Sequence, residues 1–200
     1  MSSKKVKSVE KEELIIYIDT NFVLDFTEGR NDKCIYIIEK IRERKWKCVS
    51  STFAIMEISD IIKDTLFVTK KLQKHWTINK ILRERYKKDL NQDDFEDVEN
   101  YILNRLFGTY SFIKFLTPSE DGWIAALEFS TNSNISAPDI MHLATAWNAG
   151  CNILITSDKH FLIDAKKLIE RYNDKYAGLE KLRICTPGEF NDVLKELGFE

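Results

Sequence analysis

Four acidic residues stand where they could act together. Asp19 follows the apolar run LIIYI at 14–18, and Glu57 lies one turn inside the helix expected after WKCVS at 46–50. Asp139 opens a helix at Ala137-Pro138, and Asp158 follows NILITS at 152–157. Carboxylates gathered in water-poor surroundings repel one another unless something positive joins them. Hard divalent cations answer that need. Mg2+ keeps several waters and takes one or two direct carboxylates, and Mn2+ also suits oxygen ligands. Such ions can position a water, lower its pKa and stabilise charge on a phosphodiester in the transition state. Each acid also has a plainer reading. Asp19, Thr20 or Asn21 could cap the next helix, Glu57 could be a surface residue, and an acid at the position of Asp139 is favoured by the helix dipole alone.

The elements around these acids decide whether they meet. Residues 14–18 are bulky and contain no turn former, which suits a strand buried on both faces of a parallel sheet. Residues 46–50, 112–116, 152–157 and 182–185 read as four further strands. Helical spacing of apolar residues recurs between them: 22–26, 34–41, 53–66 with Ser51-Thr52 as its N-cap, 121–129, 140–149, 159–169 and a terminal helix from Pro187. Pro138 suits a first helical turn and Gly150 a helix stop. Strand and helix alternate, which predicts an α/β fold with a mainly parallel sheet of about five strands and helices on both sides. In such a sheet every strand carboxyl end faces one edge, where open α/β sheets place their ligands. Asp19, Glu57 and Asp158 then share a rim. The helix opened by Asp139 runs into a following strand, so its start lies on that rim too.

The chain has 200 residues with a net charge of −2, 44% hydrophobic and 31% charged, which is a globular balance and not that of a strongly basic nucleic-acid binder. A single domain over 14–200 is expected, preceded by a flexible N-terminal arm at 1–13. Residues 67–108 differ in character. Nine Lys or Arg against two acids fill 63–88, and six acids with no base fill 89–99. Apolar residues at helical spacing in both halves predict an inserted helical hairpin of complementary charge. Its alternative role is a basic clamp for phosphates, with Trp76, Tyr86, Arg83 and Arg85 near the substrate path. Cys34, Cys48, Cys151 and Cys185 form no CxxC pair and read as buried free thiols. The start lacks a signal-peptide core and no run is long enough for a membrane span, so a cytoplasmic protein is expected.

Together the four stretches YIDTNFVLDF (17–26), FAIMEISD (53–60), APDIMHLATA (137–146) and LITSDKHF (154–161) resemble, in order, the acidic motifs of PIN-domain ribonucleases. The resemblance covers about 14–187. That family includes the VapC-like toxin subunits of VapBC toxin–antitoxin pairs. The resemblance implies a three-layer α/β/α sandwich and a Mg2+- or Mn2+-dependent endoribonuclease acting on single-stranded RNA. Asp19, Glu57, Asp139 and Asp158 become its catalytic and metal-binding acids, with Asp19 and Asp139 the most direct ligands. Asn21 and Thr156 become polar supports. An antitoxin protein and a homodimer are the implied partners, besides the RNA. The other reading of the same fold is a catalytically weak RNA- or protein-binding module. His142, three residues after Asp139, reads as a packed or locally hydrogen-bonded residue in preference to a proton shuttle, and His160 is read the same way. Ser157 has no base in a recognisable pattern, and no GxxxxGK[ST] or GxGxxG supports a nucleotide cofactor.

Overall fold

The structure, a computed structural model, describes residues 13–199, so the arm expected at 1–13 falls almost wholly outside the described residues. Five strands form one sheet: β1 (Ile15–Ile18), β2 (Lys47–Ser51), β3 (Ile113–Leu116), β4 (Ile153–Ile155) and β5 (Arg183–Cys185). Their order is β3-β2-β1-β4-β5 and every pairing is parallel. The chain first moves outward from β1 to β3, then returns to the other side of β1 for β4. The switch point therefore falls between β1 and β4, and a crevice opens there beyond the strand carboxyl ends.

The helices among the described residues are α1 (Thr20–Thr27), α2 (Asp32–Arg44), α3 (Thr52–Gln73), α4 (Ile78–Glu84), α5 (Gln92–Asn100), α6 (Glu120–Thr131), α7 (Ala137–Asn148), α8 (Lys159–Tyr172) and α9 (Phe190–Glu196). They build two apolar layers, and the period-two alternation of β1 feeds both. Ile16 and Ile18 pack with Phe22, Phe26, Ile37, Ile41 and Phe190 on one face. Tyr17 points to the other face, with Phe129, Leu143, Ala144, Leu154 and Phe161. The result is the three-layer α/β/α sandwich that strand–helix alternation predicts. Small residues bring α6 and α7 close: a Cβ on Gly122 would stand 2.7 Å from that of Pro118 and 3.1 Å from the Asn148 side chain.

Segment 67–108 departs from a simple hairpin. α3 runs on to Gln73, seven residues past the predicted stop at 66, because Phe67 and Lys71 continue its buried face. α4 is short, a 3-10 turn follows at Arg85–Lys87, and α5 passes into a π-helical stretch at Tyr101–Thr109. The π-helical stretch anchors to the end of α1: the Tyr101 hydroxyl donates to Glu28 Oε1 at 2.6 Å and lies 2.8 Å from Thr27 Oγ1, and Arg105 donates to the Thr27 carbonyl. Much of the positive charge of the segment is spent on nearby acids, Asp64 of α3 among them. Lys70 pairs with Asp94, Lys71 with Asp89, Arg85 and Lys88 with Asp64, and Arg83 and Lys87 with Glu84. Lys71 and Lys80 also lie over the Trp76 ring, at 4.8 and 3.8 Å from its centroid. Arg85 and Trp76, two of the residues expected near a phosphate path, are thus engaged, Arg85 by Asp64 of α3 and Trp76 by Lys71 and Lys80. Among the described residues, no helix is long and apolar enough to cross a membrane.

Candidate metal centre

β1 delivers Asp19 directly to the switch point. The residue is 3% exposed. It is the N-cap of α1, its Oδ1 accepting the Phe22 N–H at 2.7 Å. Of Asp19, Thr20 and Asn21, the cap falls to Asp19: it has extended backbone ahead of the helix, and its short side chain reaches the third helical residue. Capping engages Oδ1. Burial raises the Asp19 carboxyl to about 6, and nearby Asp139 adds to the rise, against the lowering effects of His142, Thr156 and the Phe22 amide.

The other acids arrive from three segments. Asp158, just after β4, caps α8 through Oδ1, which accepts from the amides of His160 at 2.7 Å and Phe161 at 3.1 Å. Asp139 sits in the first turn of α7, where Ser136 is the N-cap and donates its hydroxyl to Asp139 Oδ2 at 2.6 Å. Burial raises the Asp139 carboxyl, and Asp158 and Glu57 raise it further, against Ser136 and His142. Glu57, in the second turn of α3, is far from a free surface residue. Its Oε2 accepts from Thr20 Oγ1 at 2.5 Å and from His142 Nε2 at 2.8 Å. Burial pushes its carboxyl up, but those hydrogen bonds and the nearby imidazole outweigh burial and leave it lowered.

The two expected supports separate. Thr156 is fully buried between Asp19 and Asp158: its Oγ1 accepts the Asp158 N–H at 3.0 Å, and its side chain helps lower the Asp19 carboxyl. Asn21 is exposed and makes no hydrogen bond to the four acids. Two residues enter the neighbourhood that the sequence left aside. Asp25, one turn into α1, accepts from Ser157 Oγ at 2.8 Å and so fixes the residue next to Asp158. His142, read as locally packed, is buried and joins three elements through Tyr17, Thr20 and Glu57. Its position one helical turn from Asp139 was the available signal. His160 is exposed, and its backbone, not its ring, touches Asp158. The four cysteines are free and buried as expected, and burial raises the thiols of Cys34, Cys151 and Cys185 to about 12.

Among the described residues, no Lys or Arg pairs with any of the four acids. Nor do three His, Cys, Asp or Glu side chains stand close enough together to form a ready-made metal cluster. The donor set is nevertheless all oxygen: Glu57 Oε1, Asp139 Oδ1 and Asp158 Oδ2 accept no hydrogen bond from the described residues, whose donors fall on the other oxygen of each. In chemistry it fits a hard ion that keeps much of its water, not a closed cage.

A parallel sheet with acids gathered at its switch point defines an α/β protein whose ligand site lies at that rim. The PIN domain description matches residues 16–168, and the chain belongs to the PIN domain family. The PIN domain is generally a nuclease fold, which supports a nuclease-like role. No curated protein matches the chain.

Proposed function

We propose that the protein is a Mg2+- or Mn2+-dependent endoribonuclease that hydrolyses single-stranded RNA. The observation that carries this reading is the uncompensated charge at the rim. Asp19 and Asp139 are both raised by burial and by neighbouring acids despite the lowering effect of His142, and no Lys or Arg among the described residues pairs with them. Building such a group of acids is costly unless a cation joins it in the working state. When bound, a divalent ion supplies a Lewis acid that stabilises charge developing on a phosphodiester. Asp19 and Asp139 would hold it most directly, with Glu57 and Asp158 beside them. The caps engage Oδ1 of Asp19 and of Asp158, and Ser136 engages Oδ2 of Asp139, so each of these carboxylates has one oxygen held in place. Thr156 keeps Asp19 and Asp158 in register across the crevice.

The resemblance of the four acidic motifs to those of toxin subunits supports a finer reading, in which an antitoxin covers this rim. A small reading frame beside the gene, whose product co-purifies with the protein and blocks cleavage, is the outcome expected from it. The activity itself is tested with defined RNAs, with and without Mn2+, comparing wild type with Asp19→Asn. Cleavage that needs the ion and is lost in the variant is expected. Equal cleavage by the variant, or cleavage in EDTA, would overturn the assignment.

A further inference from the structure

The imidazole of His142 occupies a place that packing alone does not explain. It is 2% exposed and hydrogen-bonds on both sides. Nδ1 lies 2.7 Å from the Tyr17 hydroxyl, while Nε2 lies 2.8 Å from Glu57 Oε2 and 3.1 Å from Thr20 Oγ1. An ionised carboxylate only accepts, so Nε2 must carry the hydrogen that faces Glu57. A phenol hydroxyl is a hydrogen-bond donor, and that of Tyr17 faces Nδ1. It can therefore donate to Nδ1 and hold the ring as the Nε2–H tautomer. Thr20 completes the arrangement by donating its own hydroxyl hydrogen to the same Glu57 oxygen.

Two donors thus fall on Oε2 and none on Oε1. Their sources lie on separate elements: Thr20 at the start of α1 and His142 on α7, with Tyr17 of β1 behind the His142 ring. Both donors converge on one oxygen of a side chain carried by α3. Tyr17 and Thr20 flank Asp19 in sequence, and His142 follows Asp139 by one turn. The elements that present the two central acids therefore also orient the third.

We propose that His142 is a positioning residue of the acidic rim: through Nε2–H it holds Oε2 of Glu57 and so commits the remaining oxygen, Oε1, to the cation. This rests on the metal-dependent reading given above. Outer partners of metal-binding side chains commonly change metal affinity by about 10- to 100-fold when removed. A His142→Gln side chain can place an amide nitrogen where Nε2 stands, whereas His142→Asn can replace only Nδ1. The two variants separate a role toward Glu57 from a role toward Tyr17.

The test is Mn2+ binding by calorimetry, with circular dichroism on each variant to establish folding. Wild type should bind, and His142→Asn should bind about tenfold more weakly or worse. His142→Gln should recover most of the loss. In a Glu57→Gln background, adding His142→Asn should cause no further loss, because the oxygen it orients is no longer a carboxylate. Wild-type affinity in His142→Asn, or an equal loss with and without the Glu57 carboxylate, would overturn the positioning role while leaving the metal reading intact. Wild-type protein that binds no Mn2+ would overturn both, the metal reading first. Should His142→Asn not fold, the comparison of wild type with His142→Gln decides: a tenfold loss in a folded Gln variant contradicts the role.

Discussion

Replacing Asp19 with Asn should make the metal-free protein more stable. Asp19 is buried, and its carboxyl is raised from the ordinary 3.8 to about 6. At about 1.36 kcal/mol for each pH unit, carrying that charge at neutral pH costs the fold about 3 kcal/mol. The sign follows from proton binding. Between about pH 4 and pH 6 the native protein holds a proton that the unfolded chain has released, so stability falls as pH rises through this window and levels off above it. Asn carries no charge, yet keeps the oxygen that accepts the Phe22 amide, and it is a good N-cap residue. Urea unfolding in EDTA should show Asp19→Asn more stable than wild type by about 2–3 kcal/mol at about pH 7.5, with the gap closing towards about pH 4. Excess Mn2+ should narrow or reverse the difference, because an ion present at about 100 times its Kd adds about 2.7 kcal/mol to the form that binds it. A variant less stable than wild type at neutral pH, by an amount independent of pH, would refute the reasoning. The buried charge would then be satisfied by its present neighbours, and the rim would have no need of a cation.

Other consequences follow from individual contacts. Asp158→Asn should keep the α8 cap and stay within about 0.5 kcal/mol of wild type, whereas Asp158→Ala should lose about 1–2 kcal/mol. Both should weaken Mn2+-dependent RNA cleavage by about tenfold or more, so that urea melts and nuclease assays diverge for the Asn variant alone. Tyr17→Phe should cost about 1–3 kcal/mol in urea unfolding, because it removes the hydroxyl partner of a buried imidazole nitrogen. Gly122→Ala should destabilise by about 1–3 kcal/mol, since its Cβ would meet Pro118 and Asn148 where α6 crosses close to α7; a thermal melt unchanged from wild type would contradict that close approach.

The sheet was legible because parallel strands buried on both faces leave short, undiluted apolar runs between amphipathic helices. Residues 14–18 and 152–157 show this most clearly, and they became the two strands that flank the switch point. The rim acids could be placed from topology alone, since strand ends and following helix starts share an edge. Harder to read was the division of labour within one side chain. A capping Asp and an ion-holding Asp look identical in sequence, and Asp19 caps α1 through Oδ1 while standing at the strand end. The reach of His142 leaves no local trace, since its partners Tyr17 and Glu57 lie 125 and 85 residues away in the chain. Segment 67–108 advertised helix but not its breaks. There, ion pairs and the contacts of Tyr101 and Arg105 with α1 shape the backbone, and neither leaves a periodic trace.

The central claim is that the carboxyl rim between β1 and β4 holds a divalent cation. Diffraction from Mn2+-soaked crystals at the manganese absorption edge tests it most directly. An anomalous peak beside Asp19 and Asp139, lost in Asp139→Asn crystals, is the predicted result. No peak at the rim under saturating Mn2+, or a peak that survives the substitution unchanged, would contradict it.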